Sequence, residues 1–72
     1  MNNIRKLREA CGLSQDQLAT RIGITQSAIS QWEVGATFPS TQNCIEMAAI
    51  FGCSIDELLG IDRAKEDKHG KQ

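Results

Sequence analysis

The chain lacks the usual means of stapling a small domain. Its three cysteines, Cys11, Cys44 and Cys53, are odd in number and show no C-x-x-C spacing. That pattern speaks against a disulfide framework or a zinc knuckle, and for free thiols packed as small hydrophobes in a reducing compartment. No apolar run approaches the roughly 20 residues that a membrane-spanning helix needs, and no signal-peptide pattern is visible. A soluble, cytoplasmic protein is expected. The equipment of an enzyme is missing too. There is no His–carboxylate constellation, no phosphate-cradling glycine loop and no cluster of metal ligands. The single histidine, His69, lies in a polar stretch with no cysteine near it. The expectation is therefore a non-enzyme with no cofactor and no metal. Positive charge is also scarce. Eight Lys and Arg stand against nine Asp and Glu, a net charge of −1. This balance counts against phosphate binding, which depends on cations. The distribution softens the objection: residues 1–35 sum to +1 and residues 36–72 to −2.

What is present is helical periodicity. With 72 residues, 40% of them hydrophobic, the chain suits one small all-α domain. A first helix is predicted over 2–11, capped by Asn2 or Asn3, with Ile4, Leu7 and Cys11 on one face. Gly12 ends it and Leu13 follows as an apolar anchor. Ser14 and Gln17 then form a capping box at the head of a second helix. Leu18, Ala19 and Ile22 share its inner face, and Gly23 sits where the helix should stop in a left-handed conformation. Ile24 plugs the corner. Thr25 caps a third helix reaching Val34, with Ala28, Ile29 and Trp32 on its apolar side; Trp32 is read as core. Pro39 breaks the chain direction after Gly35. Ser40 or Thr41 caps a fourth helix over 41–51, whose buried face is assigned to Cys44, Ile45, Ala48 and Ala49, with Met47 or Phe51 at its margin. Cys53 is a further inward anchor. S-I-D-E at Ser54–Glu57 caps a fifth helix that Gly60 ends. A domain over 1–61 is thus followed by a polar tail, 62–72, in which Ala64 is the one apolar residue.

The outer face of the third helix is the informative one. Gln26, Ser27, Ser30 and Gln31 place amides and hydroxyls where a solvated helix usually carries Glu and Lys. Such groups both donate and accept, and Gln can engage adenine with both ends of its amide in the major groove. A small residue at Ala19 lets the two central helices cross closely at a steep angle.

The spacing of Gln15, Leu18, Ala19, Ile22, Gly23, Ile24, Ile29 and Trp32 resembles the helix-turn-helix of the phage lambda-type repressor and Cro family, also called the Xre family. The likeness continues through E-V-G-A-T-F-P-S at Glu33–Ser40 and A-A-I-F-G-C-S-I-D-E-L-L at Ala48–Leu59, and so covers about residues 4–60. It implies a compact five-helix lambda-repressor-like domain that binds double-stranded DNA as a transcriptional regulator. By the resemblance, Gln26, Ser27, Ser30 and Gln31 are the candidate base contacts, with Ser30 or Gln31 at a base or a phosphate. Gln15, Thr25, Arg8, Arg21 and Thr37 are the candidate phosphate contacts. Gln15 would also brace Gln26, and Arg8 would pair with Glu33 while standing near phosphate. A homodimer on a palindromic operator is implied, with Ile55, Leu58, Leu59 and Ile61 as candidate dimer contacts; packing within one chain is the other use for those residues. One departure stands out. The loop Ala36-Thr37-Phe38 carries no cation where the family commonly has one. The second reading is a protein-interaction module, or an antitoxin, that uses the same fold with weak DNA binding.

Overall fold

The computed structural model describes residues 2–61. The expected polar tail, 62–72, and His69 within it lie outside the described residues. Among the described residues there are five helices and no strand: α1 Ile4–Ala10, α2 Gln15–Ile22, α3 Gln26–Val34, α4 Thr41–Phe51 and α5 Ile55–Leu59. No helix among them is long and apolar enough to cross a membrane.

Hydroxyl caps set most of the helix starts. Ser14 accepts from the backbone N–H of Gln17 while the Gln17 side chain accepts from the Ser14 N–H, so both halves of the capping box are made. Thr25, Ser40 and Ser54 accept from Ala28, Asn43 and Glu57 in the same way. Each such cap satisfies a donor that the helix itself cannot, for about 1 kcal/mol. α1 starts differently. Asn3 holds the N-cap position without a side-chain cap bond. The Asn2 side chain accepts from Ile4 N–H instead and donates to the Trp32 carbonyl at 2.8 Å, while Asn3 donates to the Glu57 carbonyl at 2.7 Å. The two asparagines therefore add a second donor to last-turn carbonyls of α3 and α5, which otherwise accept from the N–H of the capping glycines Gly35 and Gly60. They tie the start of α1 to both helices.

The turn between α2 and α3 depends on Gly23, at φ 75° and ψ 35°. In that left-handed conformation the Ile24 N–H reaches back to the Ala19 carbonyl at 3.0 Å. This six-to-one bond closes the end of α2 in a Schellman motif, and only glycine adopts the geometry without strain. The half-buried Ile24 then packs against the core.

The core is built from Ile4, Leu18, Ala19, Ile29, Trp32, Cys44, Met47 and Leu58, so every helix contributes. Ile4, Leu18, Ile29, Met47 and Leu58 are fully enclosed, each stabilising the fold by about 1.5–3 kcal/mol relative to exposure. Trp32 is buried, as its phase predicts.

Three assignments of apolar residues are corrected. On α4 the buried set is Cys44, Met47 and Ala48, with Phe51 half-buried; Ile45 is 47% exposed and Ala49 is also exposed. The stripe runs i, i+3, i+4, i+7 from Cys44, which turns Ile45 and Ala49 outward. Met47 moves from the margin to the centre because its unbranched side chain fills irregular space. Cys11 caps the C-terminus of α1 and is exposed: α1 ends one residue earlier, at Ala10, so Cys11 leaves the helical phase of Ile4 and Leu7. Leu58 has no exposed surface, so it cannot be a dimer contact; it closes the core beneath α5. Burial without a polar partner keeps the Cys44 thiol above its ordinary pKa, as burial first and then the nearby Glu57 and Cys11 do for Cys53.

The two faces of α4 differ enough for a direct comparison. Met47→Ala should cost about 2–5 kcal/mol in urea unfolding, whereas Ile45→Ala should cost less than about 1 kcal/mol. Equal losses would return Ile45 to the core.

Candidate nucleic-acid interface

Beneath the polar face of α3 lies a charge pair. Arg8 donates through Nε to Glu33 Oε2 at 2.6 Å and through Nη2 to Glu33 Oε1 at 3.3 Å. The two side chains are only 10% and 4% exposed. Arg8 Nη1 donates to the Leu13 carbonyl at 2.8 Å, so every guanidinium nitrogen is bonded. The Glu33 hydrogen bond holds the guanidinium above its ordinary pKa, against the opposing effect of burial. The expected Arg8–Glu33 pair is therefore present. The Arg8 side chain keeps 10% exposure, and Glu33 and the Leu13 carbonyl take three of its five N–H groups, which leaves little of the guanidinium for an outside phosphate. The fork geometry that suits Arg to a carboxylate is used within the domain.

The pair organises what stands above it. An ionised carboxylate only accepts. Gln15 must therefore turn its amide NH2 toward Glu33, and its Nε2 lies 2.8 Å from Glu33 Oε1. Its carbonyl then faces away, where it accepts from Gln26 Nε2 at 2.5 Å. Three side chains from α2 and α3 thus form one hydrogen-bonded chain, donated from Gln26 to Gln15 and from Gln15 to Glu33. The direction of both amides follows from the charge on Glu33. Gln26 is exposed and keeps one amide hydrogen and its carbonyl oxygen free.

Around Gln26 the surface is polar and uncharged. Ser27 and Gln31 are exposed, and Gln31 Nε2 lies 3.5 Å from Ser27 Oγ. Thr37 Oγ1 lies 3.4 Å from Gln31 Oε1. Contacts this long are weak and exchange readily for another partner. Ser30 is half-buried, the least available of the four candidate base-reading residues. Thr25 and Arg21 are exposed on either side of the turn between α2 and α3. Among the described residues the cations are Arg5, Lys6, Arg8 and Arg21. Arg8 is spent on Glu33, and Arg5 Nε meets Glu9 at 3.2 Å on the surface. Lys6 and Arg21 have no carboxylate partner among the described residues. Among the described residues no group of three or more His, Cys, Asp or Glu could hold a metal ion.

A helix-turn-helix family model matches residues 4–58. The chain belongs to this helix-turn-helix family. Among curated relatives it is 36% identical over 56 residues to the HTH-type transcriptional activator BcrR of Enterococcus faecalis, covering 78% of this chain and 28% of the relative. It is 36% identical to repressor protein C2 of Salmonella phage P22, covering 78% of this chain and 26% of that protein. It is likewise 36% identical to the cryptic phage CTXphi transcriptional repressor RstR of Vibrio cholerae, covering 74% and 47% of the two chains. The chain spans about a quarter to a half of the length of these three relatives. Among solved structures it is similar to the P22 c2 repressor in complex with a synthetic operator, at a TM-score of 0.75 and 36% identity, covering 82% of this chain and 89% of that one. A transcriptional regulator from Listeria innocua matches with the same TM-score at 31% identity, covering 81% and 54%. The five-helix fold is thus the lambda-repressor-like helix-turn-helix domain.

Sequence reasoning placed Gln26, Ser27 and Gln31 on one exposed face, and the structure has them there. It offered no signal for the half-burial of Ser30. The depth of the Arg8–Glu33 pair was equally hidden, because residues 25 positions apart reveal their burial only through tertiary packing.

The pair should behave as a unit. Glu33→Ala, which leaves Arg8 buried without its carboxylate, should cost about 3–5 kcal/mol. Arg8→Met combined with Glu33→Leu should cost clearly less than the two single losses added together. A double-mutant cycle in urea that found them additive would disprove the coupling.

Proposed function

We propose that this helix-turn-helix domain is a sequence-specific DNA-binding regulator of transcription that lays α3 in the major groove. The single observation that carries the reading is the oriented amide of Gln26. With one hydrogen donated to Gln15, it presents one N–H and one carbonyl outward. Adenine presents in the major groove an N7 acceptor and an N6 donor, which match that pair. Ser27 and Gln31 stand beside it to contact neighbouring base edges, and Ser30 is a lesser candidate.

Phosphate contacts fix the register of such a helix without reading sequence. Arg21, Thr25, Thr37 and Gln15 are the candidates, with Gln15 standing at the N-terminus of α2, where free N–H groups favour an anion. The likeness to a repressor solved on its operator supports the assignment. One copy reads only a few base pairs. Two copies on half-sites about 34 Å apart would reach useful specificity, so the binding unit is a homodimer on a palindromic site, in the cytoplasm.

A second reading has its own observation. Phe38, in the loop without a cation, is 82% exposed, as a protein-binding surface would be. An interaction module or antitoxin would fold normally yet bind no duplex in mobility shifts at low or moderate salt.

Selection of preferred sites from a random duplex pool tests the regulator reading, with a palindrome as the expected result. On the selected site Gln26→Ala should cost about 1–3 kcal/mol and relax the preference at one base pair. The same loss on cognate and random duplex would remove Gln26 from base reading. Arg21→Gln should weaken both duplexes alike and lower the slope of log affinity against log salt by about one; an unchanged slope would show that Arg21 meets no phosphate.

A further inference from the structure

The side-chain hydrogen bonds along α3 are of two kinds. Gln26 donates to Gln15, and Gln15 donates to Glu33, whose carboxylate has no hydrogen to give. That series runs in one direction only. Reversing the Gln15 amide would set its carbonyl against a carboxylate oxygen 2.8 Å away. Reversing Gln26 alone would set its carbonyl against that of Gln15.

Gln31 is held differently. Both of its neighbours are hydroxyls: Ser27 Oγ lies 3.5 Å from its Nε2 and Thr37 Oγ1 lies 3.4 Å from its Oε1. A hydroxyl donates or accepts according to how its hydrogen is turned. If the Gln31 amide turns over, its two ends change places, and each hydroxyl follows by rotating its hydrogen. The two arrangements have bonds of the same kind and number, and at these lengths the bonds are weak. Glu33 does not choose between them, because its side chain is 4% exposed and is taken by Arg8 and Gln15. Ser27, Gln31 and Thr37 are all exposed, so the amide has room to turn.

The difference matters at a base edge. An amide held in one sense shows a fixed donor and acceptor, and it rejects an edge that presents the reverse. An amide free to turn leads with either end. Its NH2 meets the acceptors of guanine or thymine, and its carbonyl meets the amino group of cytosine or adenine. Gln31 stands about 7.5 Å beyond Gln26 along the helix axis, so the two side chains face base pairs about two steps apart. We propose that α3 divides its readout: Gln26 is the strict reader of one base pair and Gln31 the tolerant reader of another, because Glu33 orients the first amide through Gln15 while two hydroxyls leave the second free to turn. This rests on the DNA-binding reading above and deepens it.

An abasic nucleotide scanned along the selected half-site locates the two contacts. Its cost should vanish for Gln26→Ala at one position and for Gln31→Ala at another; no position that depends on Gln31 would overturn the proposal. At the Gln26 position every base replacement should weaken binding at least about fivefold. At the Gln31 position at least two bases should bind within about threefold of each other. Gln15→Met removes the contact that orients Gln26. Whatever it costs in overall affinity, it should make the first position tolerant and leave the second as it was. Thr37→Val should keep the order of bases at the second position. A single strict preference there, or an order that changes with Thr37→Val, would overturn the proposal. Nuclear Overhauser contacts in the free chain give a readout that needs no DNA: the Gln31 amide hydrogens should reach both the Ser27 and the Thr37 side chains. Contacts to Ser27 alone would show a fixed amide and overturn the proposal. If both contacts were present but the parent chain bound no duplex at low salt, the regulator reading would fall and the divided readout with it, while the free amide stood.

Discussion

Two oppositely charged side chains with almost no contact with water hold the reading surface in place. Arg8 comes from α1 and Glu33 from the last turn of α3, and their contact locks the first helix onto the recognition helix. Isolated burial of either charge would be prohibitive, so each stays only because the other is there. The carboxylate reaches further than its partner. By accepting from Gln15, Glu33 sets which way that amide points, and Gln15 sets Gln26. A buried ionic interaction, weak as a source of net stability, thereby acts as a source of orientation for an exposed group.

This arrangement explains a tension in the composition. A net charge of −1 and a loop without cations are poor credentials for gripping a polyanion. The described surface spends part of its positive charge internally, on Glu33 and Glu9. What remains outward is largely neutral hydrogen-bonding capacity. On the proposed reading, such a surface would lean on shape and base-edge matching more than on counterion release.

Much of the architecture was legible because its signals are local. Ser14 with Gln17, Thr25, Ser54 with Glu57, and the glycines after each helix act within one turn of backbone, where chemistry and position coincide. The polar side of α3 was legible for the same reason: helical spacing alone separates Gln26, Ser27 and Gln31 from Ile29 and Trp32. The candidate site was less so. Arg8 reads as a surface cation until the fold encloses it, and Leu58 reads as a free apolar edge until α5 seals the core with it. On α4, six of the seven residues from Cys44 to Ile50 are apolar, so composition left the phase open, and Ile45 was placed inside where Met47 belongs.

The chain alone determined five short helices, their starts and stops, and a third helix with an amide-rich outer side, because caps, turns and periodicity depend on neighbours within about four residues. Tertiary structure alone decided which charge is buried, which way the Gln26 amide faces, and which apolar side chains remain outside. Those outcomes depend on contacts between distant segments, such as Arg8 with Glu33 and Asn3 with Glu57, whose burial no local pattern encodes.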